Sequence, residues 1–337
     1  MSAMEPRLPE LPCPSLGDKD LLGLTLSLSS LVYADHYFSR SLHLFTEKLV
    51  QIGVISPETQ TELITAIKVE SIERRRSTTL NSFFVPLDRL KGVQIGFFYK
   101  SRAYSWRQWI GRCEKPSGVI LRIWDEVIIA FRGTTKYNIK SSLNNLNLRH
   151  CRISGGYSAH RGFVRKLHQA SNGYAYTLHT ILQDSNCTIS FTGHSNGGAQ
   201  AMIAALEMSL DKKSPPARIR RVITWGGVSC LYGGTVTTYD SILGPRTLQI
   251  INAKDSLAKL MDMFGVNRVQ GLMYVRSSED SVNTDPHDRI NSYLPILESL
   301  VRLDDNAFAL VCLRAVQERN FVLQVSPKTS APTIENC

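Results

Sequence analysis

The chain has 337 residues, 43% hydrophobic and 8% aromatic, which is enough apolar surface for a full core and excludes disorder over most of its length. Lys and Arg outnumber Asp and Glu by 39 to 29, so the net charge is +10, which favours anionic partners. The basic runs at 74–76 and 218–221 lack interleaved aromatic residues and any nucleic-acid motif, so we expect no nucleic-acid partner.

Cysteine usage and the N-terminal sequence indicate the compartment. The seven cysteines are scattered and form no C-x-x-C pair, which argues against a disulfide framework or a zinc site and favours a reducing compartment. The N-terminal "MSAMEPRLPELPCPS" has no basic region followed by an apolar one, so we expect no secretory signal. No run approaches the ~18 apolar residues of a membrane-spanning helix. We therefore expect a cytoplasmic protein, with at most a peripheral contact to membranes.

The first part of the chain is predicted to be a flexible arm at 1–18 followed by a helical extension at 19–80. Helical spacing of apolar residues appears in "LLGLTLSLSSLVYA", "LHLFTEKLVQIG" and "SPETQTELITAIKVESIE". The third segment has favourable start chemistry, since Ser56 can cap, Pro57 fits the first helical position and Glu58 suits the positive helix end.

From about residue 81 the pattern changes to short β-rich runs that alternate with helical segments. The predicted strands lie at 118–124, 126–133, 188–193, 220–227, 247–255 and 271–277, and a helix is predicted at 288–303. Buried strands that alternate with helices favour a mostly parallel central sheet with helices on both faces. We expect one α/β domain at 81–325 and a disordered tail at 326–337.

The stretch "GHSNG" places Ser195 between Gly193 and Gly197, after a predicted buried strand and before an Ala-rich helix. The bare pattern occurs by chance about once in ten chains of this length, and an ordinary turn serine is the simplest alternative. A nucleophilic serine on a sharp strand-to-helix turn needs flanking glycines, because neighbouring backbone comes too close for a Cβ. The context therefore predicts that Ser195 is a nucleophile.

A serine nucleophile needs a base and an acid that orients the base. When the nucleophilic serine lies on such a strand-to-helix turn, the chain order is serine, then acid, then histidine. Only His287 among the eight histidines follows Ser195. The alternative interpretation is that His287 is an ordinary exposed histidine in a loop. Asp255 ends an apolar run, where open α/β sheets place their chemistry, so it is the favoured acid. Asp262 and Asp240 remain open as alternatives.

Ester or amide chemistry at a serine also needs donors for a developing oxyanion. The backbone N–H of Asn196, directly after the nucleophile, is one candidate. The other is Thr134, which follows the predicted strand in "VIIAFRGTT" and offers a backbone N–H and a hydroxyl. We expect these two residues to form the oxyanion hole.

Five motifs in this order resemble the class 3, or fungal-type, lipase family of the α/β-hydrolase superfamily. They cover about residues 118–295, and they are A-F-R-G-T at 130–134, H-R-G-F at 160–163, G-H-S-N-G-G-A at 193–199, Asn252 to Asp255, and His287 with Tyr293-Leu294. The resemblance implies an α/β-hydrolase fold and a serine ester hydrolase that cleaves lipid esters, acylglycerol or phospholipid, through an acyl-enzyme. It implies no metal or organic cofactor, and structural roles for His160 and His194.

The chain also departs from the family pattern. The segment at 134–148, where the family often has its lid, lacks the usual Trp and Asp, and "TWGGVSC" lacks a proline. Asn196 replaces an aliphatic residue. These departures motivate an alternative function, a catalytically idle lipase-like protein that signals or binds lipid. An anion-binding module that uses the +10 charge is a further alternative. The expected partners are a lipid ester and, peripherally, an anionic membrane surface.

Overall fold

The fold is given by a computed structural model. It describes residues 16–33, 38–73, 82–85, 93–99, 116–134, 149–181, 187–211, 218–260, 262, 266–277, 285–318, 321–325 and 333–334. The predicted lid segment beyond Thr134 and most of the predicted N-terminal arm lie outside these residues.

Twelve strands occur among the described residues. They are β1 (Ser82–Phe84), β2 (Val93–Phe98), β3 (Gly118–Ile123), β4 (Glu126–Phe131), β5 (His150–Arg152), β6 (Ser158–His160), β7 (Thr188–His194), β8 (Ile219–Trp225), β9 (Thr247–Asn252), β10 (Leu272–Ser277), β11 (Phe321–Val325) and β12 (Thr333–Ile334). Ten of these form one sheet in the order β1-β2-β3-β4-β7-β8-β9-β10-β11-β12, while β5 and β6 form a separate antiparallel pair.

The centre of the large sheet is parallel. Strands β4, β7, β8, β9, β10 and β11 run in one direction, and antiparallel pairs occur only at the two edges. All six residues of β4 are buried, as are six of the seven in β7, which is typical of strands covered on both faces. The predicted mostly parallel sheet is confirmed.

Ten α-helices surround the sheet in the described part of the chain. They are α1 (Asp18–Leu31), α2 (Phe38–Gln51), α3 (Pro57–Glu73), α4 (Arg161–Gln169), α5 (Ser171–Ile181), α6 (Asn196–Leu210), α7 (Gly234–Ile242), α8 (Ser256–Lys259), α9 (Tyr293–Val301) and α10 (Asp305–Gln317). None of them has the length and the unbroken apolar character that crossing a bilayer demands.

The helices divide between the two faces of the sheet. On one face α1, α2, α9 and α10 share a core with the sheet, with Leu28, Phe45, Ile296, Val311 and Leu121 among its residues. On the other face α4, α5, α6 and α7 share a second core, with Phe163, Leu178, Ile203, Tyr239 and Phe191 among its residues. Helices therefore cover both faces, as the sequence predicts.

Helix α1 lies against the sheet and is buried on all sides. Every residue from Leu21 to Leu31 is buried. Its polar side chains find partners on the strands: Thr25 Oγ1 accepts from Trp225 Nε1 at 3.2 Å, and Ser29 Oγ lies 3.1 Å from Thr192 Oγ1. The helix thus belongs to the core of the sheet. The predicted boundary at residues 80 and 81, between a helical extension and the α/β domain, stays a prediction.

One predicted helix boundary differs from the structure, and a short strand lies within the predicted tail. The helix predicted from residue 288 begins at Tyr293, because Asp288 Oδ1 accepts hydrogen bonds from the backbone N–H groups of Ile290 and Asn291 and holds a turn there. Thr333–Ile334 lie within the predicted tail at 326–337 and pair with β11, since an unpaired sheet edge offers its backbone groups to an added strand. The disorder of that tail stays a prediction.

Candidate active site

Ser195 stands on a sharp turn between β7 and α6. Its φ and ψ are 58° and −127°, a conformation that costs a non-glycine residue energy and persists only where the surroundings enforce it. A Cβ added at Gly193 would overlap the backbone of Gly197, and one at Gly197 would overlap the carbonyl of Phe131. The close backbone approach that the glycine pattern predicts is therefore present.

The structure brings Ser195, His287 and Asp255 into one hydrogen-bonded chain. Ser195 Oγ lies 2.8 Å from His287 Nε2, and His287 Nδ1 lies 2.7 Å from Asp255 Oδ2. The three residues are only 4%, 5% and 1% exposed, respectively, so water screens these contacts weakly. The predicted nucleophile, base and favoured acid therefore have the distances that proton transfer from serine to histidine requires.

The parallel sheet explains why these three residues meet. Ser195 follows β7, Asp255 follows β9, and His287 lies in the connection after β10. The carboxyl ends of parallel strands share one edge of a sheet, and open α/β sheets place their chemistry there. The alternative acids are occupied elsewhere: Asp262 Oδ2 accepts from an arginine at 2.9 Å, and Asp240 Oδ1 accepts from a backbone N–H at 2.7 Å.

The carboxylate of Asp255 is fixed by two further donors. Its Oδ1 accepts from the Ala258 backbone N–H at 2.9 Å, and its Oδ2 accepts from the Tyr293 hydroxyl at 2.6 Å. Burial, and next the negative charge of Asp255, raise the pKa of Tyr293 well above its ordinary value, so the phenol keeps its proton and donates. The sequence placed Tyr293 in a motif but did not indicate this contact.

The backbone of His287 is held by a second relay that starts in the N-terminal helical region. His194 Nε2 donates to the His287 carbonyl at 2.9 Å, and the Tyr33 hydroxyl donates to His194 Nδ1 at 2.9 Å. Burial, followed by the charges of His287 and Arg289, lowers the pKa of His194 well below 6.5, so its ring is neutral. A neutral ring with one donor and one acceptor fits both partners. Sequence reasoning missed Tyr33.

Thr134 lies beside the start of α6. Its Oγ1 accepts a hydrogen bond from Asn196 Nδ2 and another from Lys166 Nζ at 3.0 Å. Gln200 Nε2 donates to the Arg132 carbonyl at 3.1 Å and ties the same loop to the helix. A hydroxyl accepts two hydrogen bonds and donates one, so the proton of Thr134 is the group left to point at a ligand. No sequence motif indicated Lys166.

His160 caps a helix and does not reach Ser195 through any described contact. Its Nδ1 accepts from the Gly162 backbone N–H at 3.2 Å at the start of α4, and the residue is 3% exposed. Nowhere in the described ranges do three His, Cys, Asp or Glu side chains come together as a metal site.

A family comparison agrees with this geometry. Residues 128–264 match the model of the family described as Lipase (class 3). This part of the chain is therefore similar to the class 3 lipases. The match includes Thr134, Ser195 and Asp255 but ends before His287, and it covers less than half of the chain. The predicted resemblance is confirmed, and the parallel sheet with its strand–serine–helix turn confirms the α/β-hydrolase fold. No curated protein matches the chain.

Solved lipase structures are similar to the chain at low identity. Lipase II from Rhizopus niveus is 21% identical with a TM-score of 0.41, over 46% of this chain and 59% of that one. Rhizomucor miehei triacylglyceride lipase is 19% identical with a TM-score of 0.37, over 42% and 56%. The lipase of Rhizopus microsporus var. chinensis is 15% identical with a TM-score of 0.42, over 76% and 75%. The chain thus spans less than two thirds of the first two structures.

Proposed function

We propose that the chain is a serine hydrolase that cleaves the carboxylic esters of lipids, acylglycerols or phospholipids, through an acyl-enzyme. The main support is the continuous contact from Ser195 Oγ through His287 to Asp255, at 2.8 and 2.7 Å. The class 3 lipase match over residues 128–264 supports the choice of lipid esters as substrates.

In the first half of the proposed reaction, Ser195 Oγ attacks the ester carbonyl carbon while its proton passes to His287 Nε2. Asp255 accepts from His287 Nδ1–H, fixes the tautomer and stabilises the imidazolium. The carbonyl π-bond opens onto its oxygen. Collapse of the tetrahedral intermediate breaks the bond to the alcohol oxygen, which leaves with the proton from His287.

The proposed oxyanion donors are the backbone N–H groups of Thr134 and Asn196 together with the Thr134 hydroxyl. The contact of the Asn196 amide with Thr134 Oγ1 supports this assignment, because it ties the two donors to each other before substrate arrives. The Lys166 ammonium at 3.0 Å occupies the remaining lone pair of the hydroxyl. In the second half, His287 takes a proton from water, the hydroxide attacks the acyl carbon, and Ser195 leaves with the proton.

A labelling experiment tests the proposal. Wild type and Ser195→Ala are treated with a fluorophosphonate probe and assayed on short- and long-chain esters. We expect labelling and hydrolysis in wild type and neither in the variant. Labelling that persists in Ser195→Ala, or no turnover of any ester by wild type, would contradict the proposal. Lipid binding without turnover would instead favour the idle lipase-like alternative.

A further inference from the structure

The positive charge of the chain is concentrated in one segment. Residues 127–183 contain eight Lys and Arg and no Asp or Glu, so this segment carries +8 of the net +10. The remainder of the chain is close to neutral. A segment with only positively charged side chains favours a local positive potential over a uniformly basic surface.

Four arginines of this segment form what we call the arginine face: Arg149, Arg152, Arg161 and Arg165. All four are exposed. They lie on adjoining elements, because the Arg161 backbone N–H at the start of α4 donates to the Arg149 carbonyl beside β5 at 2.9 Å. Arg165 lies one helical turn beyond Arg161, on the same side of α4.

Within the described part of the chain, the arginine face forms no ion pair, unlike several arginines elsewhere. Arg220 and Arg221 both contact Asp18, Arg268 contacts Asp262, and Arg314 contacts Glu318. The four side chains of the arginine face make no ion pair with any described residue. On the same helix, His168 Nε2 lies 3.2 Å from Glu207 Oε1. Exposed guanidinium groups without carboxylate partners are available to anions from outside.

This face lies next to the site of Ser195. Lys166 follows Arg165 directly on α4, and its Nζ reaches Thr134 Oγ1 at 3.0 Å. Thr134 in turn accepts from the side chain of Asn196, which adjoins Ser195. Helix α4 therefore carries Arg161 and Arg165 of the arginine face and, through Lys166, also contacts the proposed oxyanion loop.

We infer that the arginine face docks the protein on an anionic lipid interface and presents the Ser195 site to the esters in it. This inference rests on the proposed function, which requires the site to reach lipid esters at an interface. Phosphate and carboxylate headgroups complement unpaired guanidinium groups, and each basic residue near an anionic membrane contributes about a fivefold gain in binding (~1 kcal/mol).

The test measures vesicle binding apart from catalysis. Every chain carries Ser195→Ala, and binding is measured to phosphatidylcholine vesicles and to vesicles in which a third of the lipid is phosphatidylglycerol. We expect the parent to bind the anionic vesicles selectively, and less so at about 1 M salt, where the Debye length is about 3 Å. Changing all four residues of the arginine face to Gln should weaken this binding about fivefold for each arginine removed.

Two control variants make the result specific. The first changes four exposed cations on other elements to Gln, with the same loss of charge: Arg40, Lys68, Arg276 and Arg302. It should bind anionic vesicles much more tightly than the arginine-face variant. The second changes the arginine face to Lys, which keeps the charge and should keep the binding. Equal losses in the two Gln variants, or equal parent binding to both vesicles, would overturn the inference, as would tighter arginine-dependent binding to a short DNA duplex.

Hydrolysis separates failure of this inference from failure of the proposed function. With Ser195 restored, the arginine-face Gln variant should hydrolyse a water-soluble short-chain ester like wild type and lose activity only on anionic vesicles. Equal activity of this variant and wild type on anionic vesicles would contradict the docking role while leaving the hydrolase intact. No turnover of any ester by wild type would contradict the proposed function, whatever the binding result.

Discussion

At the scale of single residues, the choice of acid depends on geometry that the sequence does not contain. Chain order leaves one histidine after Ser195, but several carboxylates lie between that serine and His287. Asp255 contacts His287 Nδ1, and Asp262 instead contacts Arg268 and Ser229. The position of Asp255 at a strand end favours this contact, because the carboxyl ends of parallel strands meet at one edge of the sheet.

This contact predicts unequal effects of two isosteric changes. Asp255→Asn leaves an amide that cannot stabilise the imidazolium of His287 and favours the wrong tautomer, so kcat should fall on the order of 10⁴-fold. Asp262→Asn leaves that contact intact and should change kcat by less than about tenfold. Steady-state hydrolysis of a soluble ester measures both. Comparable losses in the two variants would contradict the assignment of Asp255.

The Thr134 hydroxyl can be tested separately from its backbone N–H. Thr134→Val keeps the shape and the backbone donor but removes the hydroxyl proton, so kcat should fall about 10²- to 10³-fold with little change in KM. Thr134→Ser keeps the hydroxyl and should retain most of the activity. If Val and Ser variants have the same kcat, the hydroxyl does not stabilise the oxyanion.

The neutral ring of His194 predicts a dependence of stability on pH. Its native pKa lies well below 6.5, because burial opposes the charge. Above pH 6.5 neither state binds the proton, whereas below it the unfolded chain does and the native chain does not. Stability should therefore fall as pH decreases through 6.5, by up to about 1.4 kcal/mol per pH unit from this residue.

The comparison variant for this prediction is His194→Gln, whose side-chain amide can still donate to the His287 carbonyl but does not titrate. Urea denaturation between pH 7.5 and pH 5 should show a shallower loss of stability in the variant than in wild type. Other groups titrate in both proteins, so the difference between the two slopes is the measured quantity. Parallel slopes would show that His194 binds its proton in the native state as well.

At the scale of elements, the six strands β3, β4, β7, β8, β9 and β10 and the N-terminal helices could be predicted from local patterning. The docking of α1 on the sheet could not. The periodic apolar residues and the caps at Ser56 and Pro57 indicate helices locally, and Thr59 N–H does donate to Ser56 Oγ at 3.3 Å. Tyr33 and His194, by contrast, are 161 residues apart in sequence. Contacts of that range depend on the tertiary packing of α1 on the sheet, which local patterning does not specify.

The position of Tyr33 just after α1 predicts that this helical region supports catalysis. Tyr33→Phe removes the donor to His194 Nδ1 and leaves a buried acceptor unpaired, which should cost about 1–3 kcal/mol of unfolding free energy. It should also lower kcat, because His194 holds the His287 backbone. Urea denaturation and ester hydrolysis measure the two effects.

Tyr239→Phe is the matched control for this change. Tyr239 is equally buried, and its hydroxyl lies 3.0 Å from Thr247 Oγ1 on the second core, outside the relay to His287. It should lose stability like Tyr33→Phe while kcat stays near wild type. Equal kcat in the two variants would limit Tyr33 to a role in stability.

At the scale of the whole molecule, α1 and the sheet share one hydrophobic core rather than two adjoining ones. The sequence predicts that 19–80 and 81–325 are separate units, because the residue pattern changes from helical to β-rich near residue 81. The local pattern of apolar and polar residues indicates secondary structure but does not indicate which elements pack together. The leucines of α1 contact the same cluster as residues of β3 and β8, such as Leu121 and Ile223.

The shared core predicts that the N-terminal helix cannot be removed as a separate domain. Deleting residues 1–33 exposes the apolar sheet face that α1 covers. It also removes buried side chains such as Leu24 and Leu28, whose burial contributes about 1.5–3 kcal/mol each to the free energy of unfolding. Several such losses exceed the typical 5–15 kcal/mol of total stability, so the shortened chain should not fold cooperatively. Deleting residues 1–15 leaves α1 in place and should preserve a single thermal transition and the ester hydrolysis. Cooperative melting and wild-type kcat after deletion of 1–33 would show instead that the helical segment is a separable extension.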